Sequence, residues 1–185
     1  MSKAERKQIA IVTGAASGIG AAAVRLLLAG GHKVCATDVN KIATTDIPKS
    51  QHERLIAQTC DVASYDDCLK AVAATVKAFG GLDTLLHFAG IHSSKTWEEL
   101  DGPEFARLYD VNVIGSFNIS KAAGMHMKDH GGGAIVLTGS NSLNAGGAGG
   151  HGRGGMAYTC TKGAIIALHR GLARSLGPHG IRVNA

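Results

Sequence analysis

Short apolar runs alternate with amphipathic stretches along the whole chain, and the period of each stretch predicts its element. Ile9 to Thr13, Lys33 to Asp38, Leu55 to Asp61, Leu82 to Phe88 and Ala134 to Thr138 read as strands. Ile9-Ala10-Ile11-Val12 and Leu85-Leu86 are continuously apolar, as expected of parallel strands buried on both faces. Between the strands, Ile19 to Ala29, Asp66 to Phe79 and Pro103 to Met127 carry helical spacing. Tyr158 to Leu176 sets Ile165, Leu168, Leu172 and Leu176 on one helix face, and Gly177-Pro178 ends that helix. Ile181 to Ala185 opens a further strand. The alternation runs without linker or repeat and predicts one α/β domain over residues 1–185. Its expected architecture is a doubly wound, Rossmann-type parallel sheet with helices on both faces.

Composition narrows the function. With 45% hydrophobic and 18% charged residues the chain can bury one full core as a soluble domain. The net charge of +5 is scattered from Lys3 to Arg182 without a basic run, so no nucleic-acid partner is expected. Met1 to Gln8 is polar and lacks a signal-peptide core, and no stretch reaches the roughly eighteen apolar residues of a membrane span. The expected compartment is the cytoplasm. Cys35, Cys60, Cys68 and Cys160 form no CxxC pair and read as reduced thiols. The nine histidines show no metal-ligand spacing, so no metal is expected. Glycine, at 26 residues about twice its average usage, marks where the backbone makes close approaches.

The densest glycine cluster is Thr13-Gly14-Ala15-Ala16-Ser17-Gly18-Ile19-Gly20, set between the first strand and the first helix. There it allows a tight turn, brings backbone next to a pyrophosphate and lets the helix pack on the sheet, while the helix N-terminus offers free N–H donors. The plainer alternative is an ordinary βα turn. Asp38 ends the second strand 18 residues past Gly20, near the interval expected for an acid that accepts from both ribose hydroxyls of an adenosine. A 2′-phosphate would meet that negative charge, with no Arg or Lys at Ser17 or Val39, which favours NAD over NADP. Asp61 is placed to accept from an adenine amino group and Val62 to pack on the ring.

Tyr158-Thr159-Cys160-Thr161-Lys162 opens a helix with the phenol and the ammonium on one face. A phenol titrates near pH 10 and is a poor base at neutral pH, but a fixed cation nearby stabilises its anion and equips it for general acid–base work. Together with the glycine turn, this pair makes the chain resemble a classical short-chain dehydrogenase/reductase over essentially all its length. The matching residues are Gly14, Ser17, Gly18, Ile19 and Gly20 in the turn, Asp38, Asp61-Val62, Ala89-Gly90, Asn112, a serine after the fifth strand, and Tyr158 with Lys162. The resemblance implies a Ser-Tyr-Lys-Asn tetrad in which Tyr158 exchanges the proton, Lys162 tunes it and holds the nicotinamide ribose, and Asn112 supports a water relay. Alignment on the strand puts the serine at Ser140, where its hydroxyl would bond the substrate oxygen; Ser142 is the alternative. It also implies a homodimer or homotetramer paired through the helices at Pro103–Met127 and Tyr158–Leu176.

Three departures stand out. Leu86-His87-Phe88-Ala89-Gly90 replaces the family's Asn-Asn-Ala-Gly, and Phe88 in place of an amide is expected to cost local order. The stretch from Gly146 to Gly155 lengthens the interval between Ser140 and Tyr158; it reads as a solvated flexible insert, with His151 or Arg153 meeting an acidic substrate group as the sharper alternative. The family's Pro-Gly nicotinamide wall, substrate lid and last strand would follow Ala185, so the chain reads as C-terminally truncated. The expected function is NAD-dependent interconversion of a small-molecule secondary alcohol and a ketone. The alternatives are a noncatalytic dinucleotide-binding or interaction protein and an NADP-linked ketone reductase.

Overall fold

The computed structural model describes residues 7–150 and 154–185. Its strands are β1 (Ile9–Thr13), β2 (Lys33–Asp38), β3 (Leu55–Thr59), β4 (Thr84–His87), β5 (Gly133–Val136) and β6 (Ile181–Asn184). Its helices are α1 (Gly18–Ala29), α2 (Tyr65–Phe79), α3 (Gly102–Tyr109), α4 (Gly115–Asp129), α5 (Ser142–Ala145) and α6 (Met156–Leu176). All six strands are parallel in one sheet of order β3-β2-β1-β4-β5-β6. This is the doubly wound topology: the order reverses between β1 and β4, and there the connections leave in opposite directions and open a crevice at the carboxyl ends of the strands.

Alternation along each strand decides what covers it. Ile11, Cys35, Leu85, Ile135 and Val183 pack against α2, α4 and α6 on one face. Val12, Val34 and Ala36 pack against Val24 and Leu28 of α1 on the other. In β1 and β2 both sets are buried, which accounts for their uninterrupted apolar sequences. In β6 buried Ile181 and Val183 alternate with exposed Arg182 and Asn184, so this edge strand is covered on one face.

Several boundaries differ from the sequence reading, among them β4, read as Leu82 to Phe88 and found at Thr84–His87. β3 stops at Thr59 rather than Asp61, because the Asp61 carboxylate accepts from Ala63 N (3.0 Å) and its carbonyl from Ser64 N (3.0 Å), which folds the chain into a turn before α2. β5 stops at Val136 rather than Thr138, and Thr138 turns toward β4 to donate its hydroxyl to His87 O (2.6 Å). The single helix expected over Pro103 to Met127 is α3 and α4 joined by a π turn at Asp110–Ile114, with α4 reaching Asp129. The short 3-10 helix at Lys49–Arg54 and α5 carry no periodic apolar pattern and were not legible.

Candidate active site

The turn from β1 into α1 folds as its glycines require. Gly14 takes φ +67°, and a side chain there would strike the backbone of Phe88 and Ala89 after β4. A side chain at Gly20 would overlap the Gly14 carbonyl oxygen, so the first turn of α1 lies directly on the loop. Around Gly18 the space is open. Ser17 caps α1 without a side-chain bond, and the helix has no acid in its first turn, so its N-terminal donors face a cleft of about 610 Å³. Gly14, Ser17, Gly18, Ile19, Gly20, Asp38, Asp61, Val62, Ala89 and Gly90 all line this one cleft.

Asp38 is aimed by backbone. Its Oδ2 accepts from Ala16 N (3.0 Å) and its Oδ1 from Asn40 N (2.8 Å) and Asn40 Nδ2 (3.2 Å). Among the described residues Asp38 has no ion-pair partner, and the one cation lining the cleft, Arg107, comes from α3. The Asp61–Ala63 wall is held from below by Asn118, whose Nδ2 donates to Val62 O (3.1 Å) and Ala63 O (3.0 Å). Asn118 was missed in the sequence because an asparagine inside a helix carries no signal of what it reaches.

α6 brings Lys162 to Thr138, a residue that lines the cleft. The Lys162 side chain is 6% exposed, Nζ donates to Thr138 O (2.9 Å), and burial pushes its pKa below the usual lysine value. Nζ lies 5.5 Å from the centroid of the half-buried Tyr158 ring. Asn112, 1% exposed, sits in the π turn; its Oδ1 accepts from Ile91 N (2.8 Å), and its Nδ2 donates to Ile91 O (2.9 Å) and Thr161 Oγ1 (3.0 Å). A side chain at Gly90 would come within 3.1 Å of Asn112 Oδ1 and 4.0 Å of Lys162 Nζ, so the glycine leaves both groups in reach of the cleft.

Ser140, Ser142 and Tyr158 line a second pocket of about 350 Å³, together with His92, whose ring lies 4.6 Å from that of Tyr158. Ser140 Oγ accepts from Ser142 N (3.1 Å), which leaves its proton free to donate outward; Ser142 Oγ is buried with no partner among the described residues. Tyr158 and Ser140 thus line one pocket, and the Ser140 hydroxyl has a hydrogen to donate there. His151 and Arg153 lie outside the described residues.

The order expected to be lost at Phe88 is present. Phe88 N (3.2 Å) and Ala89 N (3.1 Å) both donate to Thr13 Oγ1, and His87 fills the space with a ring that bonds Thr13 and Ser116. Ser116 had no motif to mark it, and the stretches that contain Thr13 and His87 gave no sign of what those two side chains reach.

The family model described as short chain dehydrogenase matches residues 8–185. Zerumbone synthase of Zingiber zerumbet is 36% identical over 185 residues, covering 96% of this chain and 66% of that protein. An uncharacterized short-chain type dehydrogenase/reductase of Sinorhizobium fredii is 34% identical, covering 95% and 70%. A 2,5-dichloro-2,5-cyclohexadiene-1,4-diol dehydrogenase of Sphingobium indicum is also 34% identical, covering 95% and 69%. The solved structure of a short-chain dehydrogenase from Streptomyces avermitilis superposes with a TM-score of 0.85 at 29% identity, covering 96% of this chain and 64% of that one. The chain spans about two thirds of the length of the relatives it matches.

Proposed function

Since the chain belongs to the short-chain dehydrogenase family, we propose that it is an NAD-dependent oxidoreductase that interconverts a secondary alcohol and a ketone. The observation that carries the reading is the Tyr158 ring with the buried Lys162 ammonium 5.5 Å from its centroid, an ammonium that bonds the carbonyl of Thr138, a wall of the cleft at the N-terminus of α1. When bound, a nicotinamide dinucleotide accepts the hydride from the carbinol carbon, or returns it. The chain's own residues handle the rest. Tyr158 takes the hydroxyl proton in oxidation and gives it back in reduction, with the Lys162 ammonium 5.5 Å from its ring. Ser140 donates to the substrate oxygen as its charge changes. Asn112 holds the Ile91 segment beside Lys162. The turn at Gly14–Gly20 would hold the pyrophosphate, Asp38 the adenosine ribose, and Asp61 with Val62 the adenine.

The choice of NAD over NADP rests on Asp38, whose carboxylate is fixed by N–H donors and has no guanidinium or ammonium partner among the described residues to accommodate a phosphate. A cytoplasmic setting accords with four free thiols. Pairing into a homodimer or homotetramer accords with exposed Ile114, Phe117 and Met125 at and along α4.

The test is reduction of NAD and of NADP by a panel of secondary alcohols, on this chain and on one extended past Ala185 to the length of its relatives, with sedimentation of both. NAD reduction supports the reading. NADP preference overturns the role of Asp38, and NAD binding without turnover in either form leaves a noncatalytic dinucleotide-binding protein.

A further inference from the structure

Under the floor of the cleft, between the cofactor turn and the π turn, lies a buried run of hydrogen bonds that the proposed chemistry does not use. Thr13 Oγ1 accepts from Phe88 N and Ala89 N and meets His87 Nδ1 at 2.7 Å. His87 Nε2 meets Ser116 Oγ at 2.9 Å, and Ser116 Oγ donates to the Asn112 carbonyl at 2.5 Å. Thr13, His87, Ser116 and Asn112 are all at most 2% exposed.

The geometry admits one order of protons. Thr13 Oγ1 receives Ala89 N–H and shares Phe88 N–H with the Thr13 carbonyl (3.2 and 3.3 Å), so its own hydrogen goes to His87, and Nδ1 must be bare. Ser116 spends its hydrogen on Asn112 O, since two oxygens 2.5 Å apart without a proton would repel; it must therefore receive from His87, and Nε2 carries the hydrogen. Burial and then the Lys162 charge push the His87 pKa down to about 3, in keeping with a neutral ring. A second proton on Nδ1 would put a third donor on Thr13 Oγ1 and strand the threonine hydrogen.

We infer that His87 is a positioning residue whose two ring nitrogens serve two different halves of the site: Nδ1, through Thr13, sets the Phe88–Ala89 backbone against the glycine turn, and Nε2–H, through Ser116, sets the Asn112 carbonyl. The inference rests on the oxidoreductase reading for its kinetic consequences and on the bonds alone for the proton order. The strand carbonyl of the same residue fixes a third point, since His87 O accepts from Thr138 Oγ1 and Thr138 O accepts from Lys162 Nζ. The glycine turn, the Asn112 carbonyl and Lys162 thus meet at one residue.

The two nitrogens can be replaced separately. In His87→Asn the amide oxygen stands near the place of Nδ1 but the side chain is too short to reach Ser116; in His87→Gln the amide nitrogen stands near the place of Nε2 and the Thr13 acceptor is lost. Expected for His87→Asn is NAD affinity within about twofold and kcat reduced about tenfold, as for one lost buried hydrogen bond; His87→Gln should show the reverse split. Ser116→Ala should resemble His87→Asn. Nitrogen-15 NMR of the imidazole, in the chain without cofactor, should show a bare Nδ1 and a protonated Nε2 from about pH 5 to pH 9. A protonated Nδ1 in that range overturns the proton order. Parallel losses of affinity, kcat and melting temperature in both variants overturn the division of labour and leave a plain core histidine. Should the wild type turn nothing over, the oxidoreductase reading has failed, while the NMR signal and the NAD titrations still decide the His87 assignment.

Discussion

Replacing Lys162 with methionine keeps the length of the aliphatic stem and deletes the ammonium, and the structure sets the two opposing effects. The lost bond from Nζ to Thr138 O is charge-assisted, about 1.5–3 kcal/mol in a dry setting, but Thr138 lines the cleft and water can take the vacant carbonyl. Against this, the wild type holds a cation that is 6% exposed with no carboxylate beside it among the described residues, and burying an unpaired ion costs several kcal/mol. The expected net change in stability is within about 1 kcal/mol, a melting shift of at most about 4 °C for a chain of this size. The pH dependence has a definite sign. The folded-state pKa lies below the usual 10.5, so between that lowered value and 10.5 the unfolded chain binds more protons than the folded one. This lysine therefore adds stability as pH rises through that window, and Lys162→Met should lack the gain. Turnover should fall by at least about a hundredfold, because the proton-transferring Tyr158 loses the cation beside its ring. Thermal melts at neutral and alkaline pH, with turnover measured on the active form, test all three. A loss above about 3 kcal/mol would make Lys162 a brace of the fold, and turnover within tenfold of wild type would refute its catalytic role.

Other substitutions probe separate parts of the site. Tyr158→Phe should keep NAD affinity within about twofold and lose turnover at least about a hundredfold; retention of even a tenth in steady-state assays rejects proton transfer by this residue. Asp38→Ala should weaken NAD by about tenfold and improve the relative binding of NADP, measured by fluorescence titration; a wild type that already prefers NADP refutes the assignment. Gly20→Ala drives a methyl into the Gly14 carbonyl and should lower stability by about 1–3 kcal/mol in denaturant titrations while abolishing NAD binding, and a silent variant would contradict the packing of α1 on its loop.

The parts legible in the sequence are those where one physical demand dominates. Parallel strands need apolar residues on both faces, and β1 and β2 have the bounds read from Ile9–Thr13 and Lys33–Asp38. Gly14 and Gly20 announce themselves because no other residue fits against backbone. The parts that were not legible depend on where distant segments meet. Nothing local says that His87 lies between Thr13 and Ser116, or that Asn118 reaches back to Val62. The third strand was read two residues too long because Cys60 is apolar, whereas the deciding interaction is the bond of the Asp61 side chain to its own turn. The π turn escaped because apolar spacing fixes a helix to within a residue, and one residue is its whole content.

That surplus residue makes chain length itself a functional property between Asp110 and Ile114. A helix with one residue removed there would close a regular ladder and become the more stable object, while every position beyond the deletion would swing by about 100° relative to α3. Asn112 would forfeit its grip on Ile91, or α4 would forfeit the face that packs on the sheet. Surface connections absorb the gain or loss of a residue at little cost, but this buried segment counts. A single-codon deletion here should therefore cost far more than one in a surface connection, through the loss of either the Asn112 bonds or the seating of α4.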